Sequence, residues 1–182
     1  MSYAGIRTGR IRKLVNLEGF GLPDMKPEAA PKRAAQWLDE LKAGHGFAPY
    51  ADAAAVAARL RKNNPRLSED KAAWLATHWA EPRTDGQWHL RADPAHKRVN
   101  PVPYRAEEAV AAWRAIEAPV LWVEGAQTDM RKWWGERYPR AEFDARLAQV
   151  RQAQRVTLAD AGHMLHHDQP EALAAALLGF LG

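Results

Sequence analysis

A histidine that follows a buried strand is the residue of this sequence best placed to do chemistry. His163 follows Gly162 at the end of the predicted strand RVTLADA (155–161), and a helical pattern begins a few residues later. A loop after a strand leaves an imidazole open to a reacting group, and histidine is the side chain most often used as a general base. The position therefore predicts His163 as a catalytic base. The alternative is an exposed loop histidine, since His166 and His167 lie close by.

An acidic residue that could orient this histidine follows the preceding strand. Asp129 stands shortly after the apolar run 119–125, in a loop where a carboxylate can accept the imidazole N–H and fix its tautomer. We therefore expect Asp129 and His163 to form the acid and the base of one site. The alternative is that Thr128 or Asp129 only caps the turn that follows. Glu124, within the end of the strand, is a weaker candidate for the acid.

The segment around His163 also contains side chains that bind metals. His163, His166 and His167 lie near Asp160 and Asp168, and imidazole and carboxylate groups are suitable ligands for zinc. Their spacing matches no fixed motif such as H-E-x-x-H, and histidines grouped around a turn are more often solvated. We therefore expect no metal ion and no other cofactor at this site.

Two regions of different character must position these residues. Short apolar runs of strand length alternate with helical patterns near both ends of the chain, which favours parallel strands in a sheet covered by helices. Between them lies a stretch of helical patterns, prolines and tryptophans. The sequence therefore predicts an α/β core formed by residues 1–22 and 119–182, and a mostly helical insertion at residues 23–118.

The composition argues against several classes of protein. The 182 residues include no cysteine, which excludes disulfides, cysteine nucleophiles and thiolate metal sites. Charges of both signs are interspersed, the net charge is +4, and no basic block with interleaved aromatic residues is present, so we expect no nucleic-acid partner. No apolar run approaches the ~20 residues of a membrane span. The first residues show no signal-peptide pattern, so we expect a cytoplasmic protein without membrane contact.

Four pieces of the sequence, in this order, resemble the C-terminal half of the α/β-hydrolase fold. They are RIRKLVNLEGFGLPD, APVLWVEG with the following Ala-Gln-Thr-Asp129, RVTLADA with the following Gly162-His163, and the closing helix EALAAALLGFL. The resemblance implies a partial α/β-hydrolase fold, with about three parallel strands, flanking helices and a helical cap insertion. It implies ester hydrolysis, with Asp129 as the acid and His163 as the base. Some relatives place the acid after the first strand, so Glu18 ranks second, ahead of Glu124.

The nucleophile that this resemblance implies is not found in the chain. The family presents it on a Gly-x-Ser-x-Gly turn that precedes these strands. The chain has two serines, Ser2 and Ser68, and neither stands in that pattern, while Ser68 fits the N-cap of a helix. We therefore expect a chain that begins just downstream of its nucleophile, either as a fragment or as a degenerate form. It would be inactive alone unless another residue, a water or another polypeptide replaces the nucleophile.

The resemblance also indicates where a substrate would bind. Phe20 and Leu22, at the junction of the first strand with the insertion, and Met164, beside His163, are the predicted pocket residues. Five of the eight tryptophans lie at residues 37–113, and we expect most of them to be buried in the insertion's own small core. The predicted substrate is a small ester-like molecule.

A non-catalytic interaction module, or a pseudo-enzyme, is the alternative function. With few strands predicted, the edge of the first strand, RKLVNLE, would be unpaired. An exposed apolar edge recruits partners or aggregates. The chain would then form a homodimer, or pair with a second chain, through this edge of the sheet.

Overall fold

The computed structural model describes residues 1–44 and 46–182, and these divide into two compact units. The first unit consists of Met1–Lys26 and Tyr104–Gly182, and the second unit is Pro27–Pro103.

Helices and strands alternate along the described residues. The helices are α1 (Ser2–Ile6), α2 (Ala30–Ala43), α3 (Ala53–Asn63), α4 (Glu69–Trp79), α5 (Ala106–Arg114), α6 (Arg131–Trp134), α7 (Arg140–Leu147), α8 (Leu165–Asp168) and α9 (Pro170–Leu181). The strands are β1 (Leu14–Leu17), β2 (Ala80–Pro82), β3 (Trp88–Leu90), β4 (Val120–Gly125) and β5 (Ala153–Leu158). Within the described residues, no helix combines the length and the apolar character needed to cross a membrane.

A three-stranded parallel sheet forms the centre of the first unit, in the order β1-β4-β5. Strand β4 is buried on both faces, because its side chains alternate between two separate clusters. Val120 and Trp122 pack in the cluster that contains Phe143, while Leu121 and Val123 pack in the cluster that contains Leu165 and Leu173. A strand covered on both sides needs apolar residues at every position, which explains the unbroken apolar run. The predicted α/β class with three parallel strands and flanking helices is confirmed.

Helix α5 belongs to the first unit, although the sequence placed it in the insertion. It lies directly against α1, so closely that a Cβ added to Gly5 would collide with the carbonyl oxygen of Ala112. Trp113 at its end is 3% exposed and packs with Ala4 in the core of this unit. The second unit is accordingly shorter than the predicted insertion at 23–118, because α5 covers the sheet rather than joining the other helices.

The second unit has a small core of its own. Helices α3 and α4 and the antiparallel pair of β2 and β3 surround it, and the N-caps Asp52 and Ser68 begin the two helices. Its buried residues are Val56, Leu60, Leu67, Ala72, Ala76 and Ala80. The expected burial of most tryptophans in this core is wrong. Trp74 is 63% exposed and Trp79 is 44% exposed, because small alanine side chains occupy the buried positions of α4.

Candidate active site

The carboxyl ends of the three parallel strands bring the side chains of the candidate site together. Glu18 directly follows β1, Thr128 lies shortly after β4, and His163 lies in the loop between β5 and α8. Parallel strands end at a common edge of the sheet, and this edge is where such sheets bind their ligands. The three side chains meet around the carboxylate of Glu18.

His163 is hydrogen-bonded to Glu18 through one of its ring nitrogens. Its Nδ1 lies 2.9 Å from Oε2 of Glu18. A carboxylate only accepts hydrogen bonds, so Nδ1 carries the proton and Nε2 keeps its lone pair. The His163 side chain is 49% exposed, whereas that of Glu18 is 1% exposed. The imidazole is therefore held from its buried side, and Nε2 is left to take a proton, which is the arrangement of a general base.

The carboxylate of Glu18 is satisfied by donors from two loops. The backbone N–H of Gly125 donates to Oε1 over 2.5 Å. The hydroxyl of Thr128 lies 2.8 Å from Oε1 and 2.9 Å from Oε2, and the imidazole of His163 completes the set. Burying a carboxylate without such donors would cost free energy, because the group loses its hydration. These hydrogen bonds fix the direction of the carboxylate toward His163.

The backbone at Glu18 is held in an unfavourable conformation. Its φ is +57°, in the left-handed region that residues with a Cβ seldom occupy. The next residues form a tight turn, in which Gly19 N–H donates to the side chain of Asn16 and Phe20 N–H donates to the carbonyl of Glu18. Such strain persists only where the surroundings impose it, and it occurs most often at functional sites. Here the left-handed backbone at Glu18 directs its carboxylate toward the carboxyl ends of the neighbouring strands.

The loop that carries His163 is fixed against the end of β4. A Cβ added to Gly125 would collide with the carbonyl oxygen of Ala161, and it would lie 2.6 Å from that of Gly162. Gly162 N–H donates to Oδ2 of Asp168 over 2.8 Å, which closes the loop from its other end. Glycine at position 125 is therefore what allows the His163 loop to approach the Glu18 carboxylate.

The pairing of His163 with Asp129 is not the one that the structure shows, and this expectation is corrected. Oδ1 of Asp129 accepts the backbone N–H of Arg131 over 3.0 Å, and the Asp129 carbonyl accepts that of Lys132. This is the turn geometry in which an aspartate side chain binds its own backbone two residues ahead. Asp129 starts α6, and among the described residues the carboxylate hydrogen-bonded to His163 is that of Glu18.

Glu124, the weakest of the three acid candidates, lies in an ion-pair network. It continues the face of β4 formed by Val120 and Trp122, and its Oε1 accepts from Arg140 over 2.8 Å and from Arg155 over 2.9 Å. Burial alone would raise the pKa of Glu124, but the hydrogen bonds and charges of the two guanidinium groups outweigh burial and lower that pKa. Glu124 therefore stays ionised and ties α7 and β5 to β4.

The predicted pocket residues separate into one that lines a cavity beside His163 and two that do not. A cavity of about 270 Å³ is lined by Glu18, Phe20 and His163, together with Trp133 and Trp134. Leu22 and Met164 are not among the residues that line it. Trp133, which the sequence reasoning missed, packs edge-on against His163 with the ring centroids 4.5 Å apart. The only sequence signal for it is the pair of tryptophans that follows Asp129.

Two further sequence expectations concern metal ligands and serines. Within the part of the chain that the structure describes, no group of three histidine or acidic side chains is arranged to hold a metal ion. Ser68 is the N-cap of α4, where its hydroxyl accepts the N–H of Lys71 over 3.3 Å. Ser2 is the first residue of α1, and it is exposed. Both serines therefore occupy helix starts, as opposed to a turn between a strand and a helix.

Comparison with known proteins gives matches in structure alone. No family model matches the chain, and no curated protein does. The thioesterase domain from the curacin biosynthetic pathway superposes with a TM-score of 0.73 and 26% identity, over 97% of this chain and 59% of that chain. The hypothetical protein PA1622 from Pseudomonas aeruginosa PAO1 gives a TM-score of 0.77 and 23% identity, over 99% and 60%.

An alpha/beta hydrolase from Novosphingobium aromaticivorans DSM 12444 matches with a TM-score of 0.57 and 18% identity, over 97% of this chain and 59% of that chain. Other matching structures are two hydrolases and one esterase. The chain spans about three fifths of the length of the solved structures that it matches.

Proposed function

We propose that this chain, which carries part of the α/β-hydrolase fold, supplies the acid and the base of an ester-hydrolysing site. Glu18 orients His163, and His163 takes the proton of the attacking group at Nε2 and returns it to the leaving group. The single observation that supports this proposal is the 2.9 Å contact between His163 Nδ1 and the buried carboxylate of Glu18. The matching structures include a thioesterase domain, a hydrolase and an esterase, and these favour the same reaction class.

The attacking group in this proposal is a water, or a side chain of a polypeptide segment outside these residues. The sequence contains no Gly-x-Ser-x-Gly, and its two serines begin helices. Without a nucleophile fixed beside Nε2, the base acts on a mobile water, and the acceleration gained from a positioned nucleophile is lost. We therefore expect slow hydrolysis by this chain alone, and no covalent acyl-enzyme on serine.

Hydrolysis of p-nitrophenyl acetate by the purified chain tests this proposal. We expect a rate above the buffer rate that falls at least about tenfold in His163→Ala, below the full ~10²–10⁴ of a positioned general base because the nucleophile is mobile. His78→Ala is the matched control, because His78 is a helical histidine that packs against Trp74 in the second unit. Equal rates in His163→Ala and His78→Ala would exclude His163 as the base.

A serine-directed phosphonate probe tests the source of the nucleophile. We expect no labelling of the purified chain, since neither Ser2 nor Ser68 lies in a nucleophile turn. Labelling that persists in the double variant Ser2→Ala, Ser68→Ala would show that another residue of the chain is the nucleophile. Labelling that disappears in this variant would show that one of the two serines reaches the site.

A second candidate function, a non-catalytic module that pairs through its sheet edge, is favoured by the position of β1. Among the described residues, β1 pairs with β4 on one side and forms the edge of the sheet on the other. Leu17 at this edge is 39% exposed. An edge strand with an exposed apolar side chain is a template for another strand, and charged side chains oppose such pairing. The occupant would be a second copy of the chain or a strand of another chain.

Sedimentation velocity over a range of protein concentrations tests the edge-pairing candidate. We expect the chain to associate as its concentration rises, and Leu17→Lys to reduce that association. Leu38→Lys, at a position of helix α2 that is 51% exposed, is the control that adds the same charge away from the edge. A chain that stays monomeric at every concentration would rule out self-pairing through β1.

A further inference from the structure

Helix α6 holds one tryptophan in the core and a second against the catalytic imidazole. Met130, just before the helix, is 4% exposed, and Trp134 packs partly buried against the same core cluster. Gly135 ends the helix with a φ of +55°, a conformation that glycine adopts without strain. Between these anchors, Trp133 is 41% exposed and its ring centroid lies 4.5 Å from that of His163.

The cavity beside His163 is walled mainly by aromatic rings. Trp133 and Trp134 form its walls together with Phe20, whose ring centroid is 6.4 Å from that of Trp133. We refer to this cavity, lined by Glu18, Phe20, Trp133, Trp134 and His163, as the aromatic recess. Its volume of about 270 Å³ exceeds the ~150 Å³ in which an apolar cavity binds benzene, and lies at the lower limit of ligand pockets. A single ring or a short alkyl chain would fill it.

The buried carboxylate beside the aromatic recess disfavours anions. The side chain of Glu18 is 1% exposed, so it repels an anion through a poorly solvated medium. The indole and phenyl rings favour apolar groups of flat shape. The occupant that fits both the walls and this charge carries no negative charge.

We propose that the aromatic recess is a substrate subsite for an aryl or short alkyl group without a negative charge, with Trp133 as the residue that determines this specificity. The proposal rests on the proposed function, since the group bound here would be one side of the ester that His163 helps to cleave. A group seated against Trp133 would place the neighbouring bond within reach of His163 Nε2.

Binding of two small probes of similar size tests the subsite without any turnover. Benzyl alcohol is neutral and benzoate is an anion, and each is titrated into the chain while the indole N–H resonances are followed by NMR. We expect saturable shifts of the Trp133 resonance, with benzyl alcohol binding at least about threefold more tightly than benzoate. Equal or tighter binding of benzoate would overturn the proposed substrate class.

Variants of the tryptophan separate the recess from nonspecific binding. Trp133→Ala should weaken benzyl alcohol binding by about three- to tenfold, and Trp133→Phe should retain most of it because an aromatic wall remains. Trp74→Ala, at an exposed tryptophan of the second unit, is the matched control and should bind as the unchanged protein does. The same loss in Trp74→Ala as in Trp133→Ala, or none in either, would contradict the proposal.

The binding experiment also separates failure of the subsite from failure of the proposed function. Benzyl alcohol that binds at Trp133 while His163→Ala leaves ester hydrolysis unchanged supports the recess as a ligand site and contradicts its catalytic role. Hydrolysis that depends on His163 without saturable binding at Trp133 supports the proposed function and contradicts the subsite.

Discussion

At the scale of single residues, Glu18 and Glu124 are two buried glutamates with different tasks. The Glu18 side chain is 1% exposed and contacts a histidine, a hydroxyl and a backbone N–H, while that of Glu124 is 6% exposed and contacts two guanidinium groups. The first set of partners orients a base, and the second set neutralises charge. The two residues therefore form a natural pair for comparing catalysis with stability.

Replacing Glu18 by glutamine should abolish hydrolysis that depends on His163. The amide keeps the size of the side chain but loses the charge that stabilises an imidazolium, and it can present a donor to Nδ1. We expect the rate with p-nitrophenyl acetate to fall to that of His163→Ala. Glu124→Gln is the matched control and should keep at least half of the activity of the unchanged protein. Full activity in Glu18→Gln would exclude it as the orienting acid.

Glu124→Gln should instead reduce stability, and it should do so most strongly at neutral pH. Loss of the ion pairs with Arg140 and Arg155, both partly exposed, is expected to lower the free energy of unfolding by roughly 1–3 kcal/mol. Because the pKa of Glu124 is lowered in the folded chain, its contribution is present above the ordinary pKa of 4.5 and is lost as the pH falls below it. Urea unfolding at neutral and acidic pH checks this. A difference between the two proteins that persists unchanged in acid would contradict it.

The sequence predicted the position of the proposed base, His163, better than it predicted which acid is hydrogen-bonded to it. His163 follows a strand and a glycine, which is a local pattern, and its place at the carboxyl edge follows from strand order alone. The choice between Asp129 and Glu18 depends on how two loops turn after their strands. Glu18 reaches His163 through a positive φ, and nothing in the local composition signals that a glutamate adopts it. The side chain of Asp129 is instead hydrogen-bonded within the turn that leads into α6.

At the scale of elements, helix α7 and Tyr138, two residues before it, hold the segment that carries Glu18. The hydroxyl of Tyr138 donates to the carbonyl of Phe20 over 2.7 Å, and a guanidinium N–H of Arg146 donates to the carbonyl of Leu22 over 2.7 Å. Tyr138 is fully buried, and burial raises the pKa of its phenol to about 12. The turn after β1 is thus fixed from outside the sheet by side chains far away in sequence.

Replacing Tyr138 by phenylalanine should destabilise the chain and alter its response to alkali. The carbonyl of Phe20 would lose its buried donor, at a cost of about 1–3 kcal/mol. In the unchanged protein, the raised pKa of Tyr138 stabilises the fold fully below pH 10.0, and this contribution of about 2–3 kcal/mol is lost as the pH rises toward 12. Urea unfolding across this range should show a steeper fall for the unchanged protein than for Tyr138→Phe. Parallel curves would contradict the assignment.

Replacing Gly125 by alanine should separate the histidine loop from the end of β4. The added Cβ meets two backbone carbonyls that cannot rotate away, so we expect a loss of about 1–3 kcal/mol in the free energy of unfolding. Gly179→Ala is the control, because a Cβ at that position of α9 meets nothing within 4 Å and removes backbone freedom from the unfolded chain. It should stabilise the chain by about 0.5–1 kcal/mol. Equal effects of the two changes in thermal melts would contradict the close approach.

Local patterns predicted most elements, while their grouping required the three-dimensional contacts. The caps Asp52 and Ser68 and the apolar run of β4 act within a few residues, so the sequence shows them directly. The assignment of α5 depended on a contact with α1 across about a hundred residues of chain, which no local pattern encodes. The four-residue helix α6 is too short to show a helical period, so the sequence did not predict Trp133 as a residue beside His163.

At the scale of the whole molecule, each unit has its own hydrophobic core. The second unit is stabilised around α3 and α4 by small and branched side chains, with Tyr50 and Trp88 packed partly buried against them and Trp74 and Trp79 exposed. A core of this kind depends on a few aliphatic side chains, because alanine buries little area. Leu60 is the largest contributor that is clearly buried in α3, at 7% exposure.

Replacing Leu60 by alanine should cost the second unit about 2–5 kcal/mol. The matched control is Leu38→Ala in α2, where the side chain is 51% exposed and the change should stay within about 0.5 kcal/mol. Urea unfolding followed by circular dichroism measures both. Similar losses for the two variants would show that α2 is more deeply packed than its exposure indicates.

The backbone at Glu18 also has a consequence for selection and design. A method that chose residues for backbone fit alone would place glycine or asparagine at this position, because they adopt a positive φ more readily than other residues. A glutamate at position 18 therefore makes the turn less favourable than either of these residues would. In a library screened only for folding, substitutions at position 18 should therefore be tolerated or enriched. In a library screened for ester hydrolysis they should be depleted. The difference in enrichment between the two screens at position 18 would indicate how much stability the chain loses through backbone strain in order to keep this carboxylate.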